Sequence, residues 1–187
     1  MTTFILRTTK ILMMATCAIW MGLIAASNLS YQEYNLSLAQ DILGMSSIPE
    51  DVSHDRAITD KNDQMFAFDM IVFFQVLASA CCGLGAIMLL IFAFRDQSDF
   101  HRAKWLSCLG LAIVTGLYFF GFYAIASEYF YTYLSEDAAI QQIGRIGLTN
   151  AIFALVIVSF LIQPESMPIT KKKQLTSTQP TKPRGNK

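Results

Sequence analysis

Residues 66–94 read FAFDMIVFFQVLASACCGLGAIMLLIFAF, an apolar block whose one charged side chain, Asp69, lies near its start. The block is too long for a buried strand and too uniformly apolar for the one-faced pattern of a helix on a soluble domain. About 20 mostly apolar residues suffice for a helix to cross the roughly 30 Å hydrocarbon layer, so the block predicts a membrane span. Residues 11–27, 105–127 and 146–163 approach or meet the same criterion. The expected fold is therefore an all-α membrane protein, a four-transmembrane-helix antiparallel bundle over residues 1–163. The composition agrees: 53% hydrophobic and 15% charged residues, with a mean hydropathy of +0.42, are too apolar for a soluble chain of 187 residues.

The first apolar segment admits a second reading. Arg7 and Lys10 precede it, and Ala25, Ala26 and Ser27 close it with the small residues of a secretory cleavage site. Its length and Trp20 favour an uncleaved span. Charge then sets the orientation. Of the 14 Lys and Arg residues, Arg56, Lys61 and Arg145 fall on one side and the rest on the other, together with both termini. The positive-inside rule places both termini in the cytoplasm of a multi-pass membrane protein.

The connections differ in character. Residues 28–65 form the expected outer loop, and NLSLAQDILGM within it (residues 35–45) sets Leu36, Ala39 and Leu43 near one helical face. Leu38, Ile42 and Met45 sit beside them, so a short amphipathic helix on the membrane surface is expected, with Pro49 to stop it. Residues 95–104 are short enough to make the second and third spans a tight hairpin. Residues 164–187, rich in Pro, Lys, Ser and Thr, predict a disordered basic cytoplasmic tail.

Several short matches, in order along most of residues 1–163, carry a resemblance. They are Arg7 and Lys10; Asn28, Leu29 and Ser30; Asn35 with Ile42 to Met45; Arg56, Ala57 and Ile58; Gly121 to Ile125 before Glu128, Tyr129 and Phe130; and Arg145. In these the chain resembles a bacterial family of predicted small integral membrane proteins with four transmembrane helices, a domain of unknown function. The resemblance implies a four-helix membrane fold, a location in the bacterial inner membrane, and no known activity. The chain departs from the family pattern at Tyr31 and Gln32 (an Asp-Tyr pair), Asp41 (a His), Gln75 (an acid), Ser127 (a Gly) and Tyr129 (a Trp). Losing the His and the second-span acid argues against a shared metal or proton site.

Polar residues within the spans are few and costly, so each is a candidate for function. Asn28, Asp69, Gln75, Glu128, Arg145 and Asn150 all fall toward the outer side, which predicts an outer-leaflet polar cluster with Glu128 paired to Arg145. The competing reading makes them headgroup contacts within an aromatic belt of Tyr123, Tyr129, Phe130, Tyr131 and Tyr133, with Gln75 and Asn150 as interhelical glue. The inner halves of the spans carry no charge, which disfavours a channel or proton-coupled transporter. Cys17, Cys81, Cys82 and Cys108 lie within spans without C-x-x-C spacing, and His54 and His101 lie on opposite sides, so no metal site is expected. No hydrolase, P-loop or zinc-protease motif occurs; no catalytic residue and no cofactor are expected. Ser79 with Gly83, with Gly85 and Ala86 just beyond, and Ala112 with Gly116, followed by Gly121, predict close packing of the second span on the third.

Three functional classes follow. The first is an accessory or assembly subunit of a membrane complex, in contact with lipid and with other subunits or a second copy of itself, and not with nucleic acid. The second is a protein that binds a lipid or quinone-like ligand in an outer-leaflet polar pocket. The third, ranked last, is a membrane enzyme.

Overall fold

A computed structural model describes residues 2–165. Every backbone polar group in a hydrocarbon layer must be satisfied within the chain, which leaves helices as the solution for these apolar blocks. Helix α1 spans Thr2–Ser30, α2 spans Gln32–Leu43 and α3 spans Lys61–Ile91. The short α4 (Gln97–Arg102) turns the chain into α5 (Trp105–Thr115), which runs on as a π-helix over Gly116–Tyr129. A 3-10 turn (Thr132–Leu134) and α6 (Ala138–Gln141) lead to α7, Ile143–Ile162. Four helical stretches are long and apolar enough to cross a membrane: α1, α3, α4 through the π-helix, and α6–α7. The expected all-α four-helix membrane bundle is borne out.

α1 packs along α3, α3 along α5, and both halves of the third span along α7. The core is a file of small and flexible side chains, including Met14, Met21, Ala78, Cys82, Ala151 and Ala154. Trp20 of α1 stacks on Tyr118 of the π-helix with ring centroids 5.8 Å apart, tying the first span to the third.

The small residues pair differently from the expectation. Ser79 and Gly83 face α1, where the Ser79 hydroxyl donates to the Ala18 carbonyl at 2.8 Å and a Cβ on Gly83 meets that of Ala18 at 3.5 Å. The second span meets the third through Gly85 and Gly110 instead: a Cβ on Gly110 falls 2.9 Å from the backbone nitrogen of Cys82, and one on Gly85 falls 2.8 Å from that of Ser107. Gly116 and Gly121 touch no facing helix. The i, i+4 spacing was visible in the sequence, but the rotation of each helix about its axis was not.

The bundle has two unlike ends. At one end Thr3 and Glu165 meet, and we call it the terminal end. At the other, the loop end, α2 stops at Leu43 with Gly44 as its cap, earlier than the expected stop at Pro49. Met45 and Ile48 then fold onto Phe130 to form a small second core. The Ser47 and Ser135 hydroxyls lie 2.7 Å apart, and the Glu136 backbone N–H donates to the Ser47 carbonyl at 2.8 Å, so the two loops at this end close on each other. Asp60 starts α3 by accepting from the backbone N–H groups of Asn62 and Asp63. Of the tail expected at 164–187, residues 166–187 lie outside the described residues.

Candidate functional site

Of the six polar residues expected to cluster toward the loop end, Asn28 and Gln75 are joined directly. Asn28 of α1 donates through Nδ2 to Gln75 Oε1 of α3 at 2.7 Å, and Gln75 is buried with 1% of its surface exposed. Asp69, Glu128 and Arg145 are exposed, and Asn150 is half-buried. Glu128 is not paired with Arg145: among the described residues, the ion pairs both belong to Glu165. Asn28 and Gln75 thus join α1 to α3 directly. Depth alone carried no information on which way the span-end charges turn, and those turn outward.

Beside the Asn28–Gln75 pair lies a cavity of about 750 Å³. Its roof is the apolar stripe of α2: Asn35, Leu38, Ala39, Ile42 and Leu43 recur at the i, i+3, i+4 spacing of one helical face. One wall is α3 from Phe66 to Phe74, and the other is the π-helix from Gly116 to Ala126. The amphipathic helix expected to rest on the membrane surface therefore spends its apolar face on this cavity, although Tyr31 and Tyr34 beside it are exposed. Phe66 and Phe120, which line the cavity, are 66% and 64% exposed, so it is open at the surface of the bundle.

The π-helix shapes this wall. Such helices are mostly single turns and recur at functional sites; here one runs for 14 residues, and its last bond, from the Phe130 N–H to the Ile125 carbonyl at 3.0 Å, keeps the i→i+5 pattern. Its aromatic residues divide by face. Tyr118 is buried in the core and stacks on Phe122 at 5.3 Å, while Phe122, Leu117, Phe120 and Ile125 line the cavity. α7 can approach the π-helix because Gly144 sits against Ser127 and Gly147 against the Tyr118 carbonyl, where a Cβ falls only 2.8 Å away.

The terminal end holds a second polar constellation that the sequence reading divided between topology signals and tail. Lys10 of α1 and Lys104, just before α5, both reach Glu165 Oε1, at 2.6 and 2.5 Å. Both also donate to the Gln163 carbonyl at the end of α7. Arg7 donates to the carbonyls of Ala93 and Arg95, each at 2.7 Å, beyond the end of α3. All four charged residues are buried, and the Phe100 ring lies 4.7 Å from the Arg7 guanidinium and 5.7 Å from the Lys104 ammonium. Burial works against the charged form of Glu165, but the hydrogen bonds and charges of both lysines outweigh it and hold the carboxyl below its ordinary pKa. A signal was present in the sequence: Lys10, Lys104 and Glu165 all flank spans that end on one side, so they share a depth.

No curated protein and no solved structure gives a significant match to this chain. The family model described as "Predicted small integral membrane protein (DUF2165)" matches residues 6–161, from the turn that carries Arg7 to the last turn of α7. With four apolar helices inside that range, the chain belongs to the DUF2165 family of predicted small integral membrane proteins.

Proposed function

We propose that this integral membrane protein holds one long apolar chain, that of a lipid or a quinone-like molecule, in the loop-end cavity. The observation that carries the reading is a space of about 750 Å³ walled by Leu, Ile, Met and Phe side chains, with Asn28 and Asn35 as its polar lining residues. That size lies within the roughly 300–1,000 Å³ of small-molecule sites, which are mainly apolar with a few placed polar groups. Eleven of the 14 Lys and Arg residues lie toward the terminal end in the sequence, and the positive-inside rule then supports an inner-membrane protein with cytoplasmic termini and a cavity in the outer leaflet.

The test compares the wild type with Gly116→Phe. A Cβ at Gly116 meets nothing within 4 Å, so the ring enters the cavity wall without forcing the backbone. Both proteins are extracted in mild detergent from their own membrane, and bound small molecules are quantified by mass spectrometry. Wild type is expected to retain a chain-bearing molecule in near-stoichiometric amount, and Gly116→Phe to lose most of it at unchanged melting temperature. Equal retention by both proteins, or none by either, defeats the reading. A co-purifying protein lost on Gly116→Phe points instead to the accessory-subunit role expected from the sequence, with a partner helix in the groove.

A further inference from the structure

We infer that the molecule held in the loop-end cavity has an uncharged head bearing a hydroxyl or carbonyl oxygen, and is not an anionic phospholipid. The inference rests on the chain-binding reading and adds the chemistry of the head.

None of the residues lining the cavity is ionisable. A phosphate drawn into it forfeits water and meets no cation, a cost that neutral heads do not carry. The cations at this end are turned elsewhere. Arg56 is held between the Tyr129 and Tyr131 rings at 4.9 and 4.8 Å and donates to the Tyr129 carbonyl at 3.2 Å. Arg145 and Lys61 are exposed, and neither lines the cavity.

The lining amides suit a neutral head. Asn28 is oriented from behind by buried Gln75, whose Oε1 takes one of its N–H bonds. Asn35 donates to the Ser27 carbonyl at 3.4 Å. Each amide therefore keeps its carbonyl oxygen as an acceptor and a second N–H as a donor, a set that serves a hydroxyl or a carbonyl equally. Both residues stand where α1 passes into α2, above the apolar walls, so a head held there leaves its chain against α3 and the π-helix.

The experiment presents the purified full-length protein with an equimolar mixture of dioleoylglycerol and dioleoyl phosphatidic acid, which share their chains and differ in the phosphate. After gel filtration each bound lipid is quantified. The diacylglycerol is expected to be retained at least about tenfold over the phosphatidic acid, and Asn28→Leu to lower its retention by roughly fivefold, the worth of one hydrogen bond. Equal retention of the two lipids, or preference for the phosphatidic acid, overturns the inference about the head and leaves the chain-binding reading standing. Retention of neither lipid by the wild type overturns both. Unchanged diacylglycerol retention in Asn28→Leu overturns the role of the amides.

Discussion

Glu165 holds two lysines on one carboxylate oxygen in a setting from which water is largely excluded. Such an arrangement contributes little net stability when formed, but removing one member leaves a buried charge uncompensated. Glu165→Gln is expected to destabilise the bundle by on the order of 3 kcal/mol, read as a lower melting temperature in detergent, whereas Glu136→Gln at an exposed position is expected to change it little. The same carboxylate makes stability depend on acid. Its pKa is depressed in the folded protein, so the stabilisation is complete above the ordinary value of 4.5 and is lost as pH falls through the lower folded-state value. A melting profile taken downward from pH 5 is expected to fall in the wild type and to be flatter in Glu165→Gln. Equal slopes would remove the assignment.

Among the elements, α7 tolerates little change on its inner face. Gly147 faces the π-helix backbone at Tyr118 and Tyr123, where a Cβ falls 2.8 and 3.0 Å from main-chain atoms that cannot swing aside. Gly147→Leu is expected to cost about 1–3 kcal/mol through overpacking, whereas Gly116→Leu, with open space at its Cβ, is expected to leave the melting temperature within about a degree or two. Equal losses in the two variants would contradict the packing described. The four spans were legible because twenty-residue apolar blocks have one physical solution in a bilayer. The π-helix was not legible, since GLYFFGFYAIASEY is equally apolar under either winding and its hydrophobicity marks no period. α2 was legible as an amphipathic helix, but its expected face of Leu36, Ala39 and Leu43 is rotated toward Leu38 and Ile42 in the structure, and a periodicity does not name what buries it.

At the scale of the whole molecule, the two ends follow different rules. The loop end closes on apolar contacts and backbone hydrogen bonds between residues 45–58 and 129–136. The terminal end closes on charges. Of the site expected from the sequence, Asn28 and Gln75 were legible as members of one polar cluster, because Gln75 lies deep in an apolar span where an amide needs a partner. The Glu128–Arg145 pair does not form because residues at span ends can reach water and gain little by pairing. The proposed orientation is checked with single cysteines: Glu136→Cys is expected to react with a membrane-impermeant maleimide on intact cells, and Asp99→Cys only after lysis. The opposite pattern would reverse the bundle in the membrane. Cys17, Cys81 and Cys82 are buried and give little background.

The clamp at Glu165 also bears on how the protein is made. Its three members are separated by up to 155 positions in the chain, and the acidic one is synthesised last. Until residue 165 leaves the ribosome, Lys10 and Lys104 lack the carboxylate that both meet in the folded protein. An ammonium group without its counter-charge resists burial, so this end is expected to close only once Glu165 arrives. Glu165→Ala is expected to insert its four spans and stay open at this end, with Lys10 reactive toward a water-soluble amine reagent that leaves it untouched in the wild type.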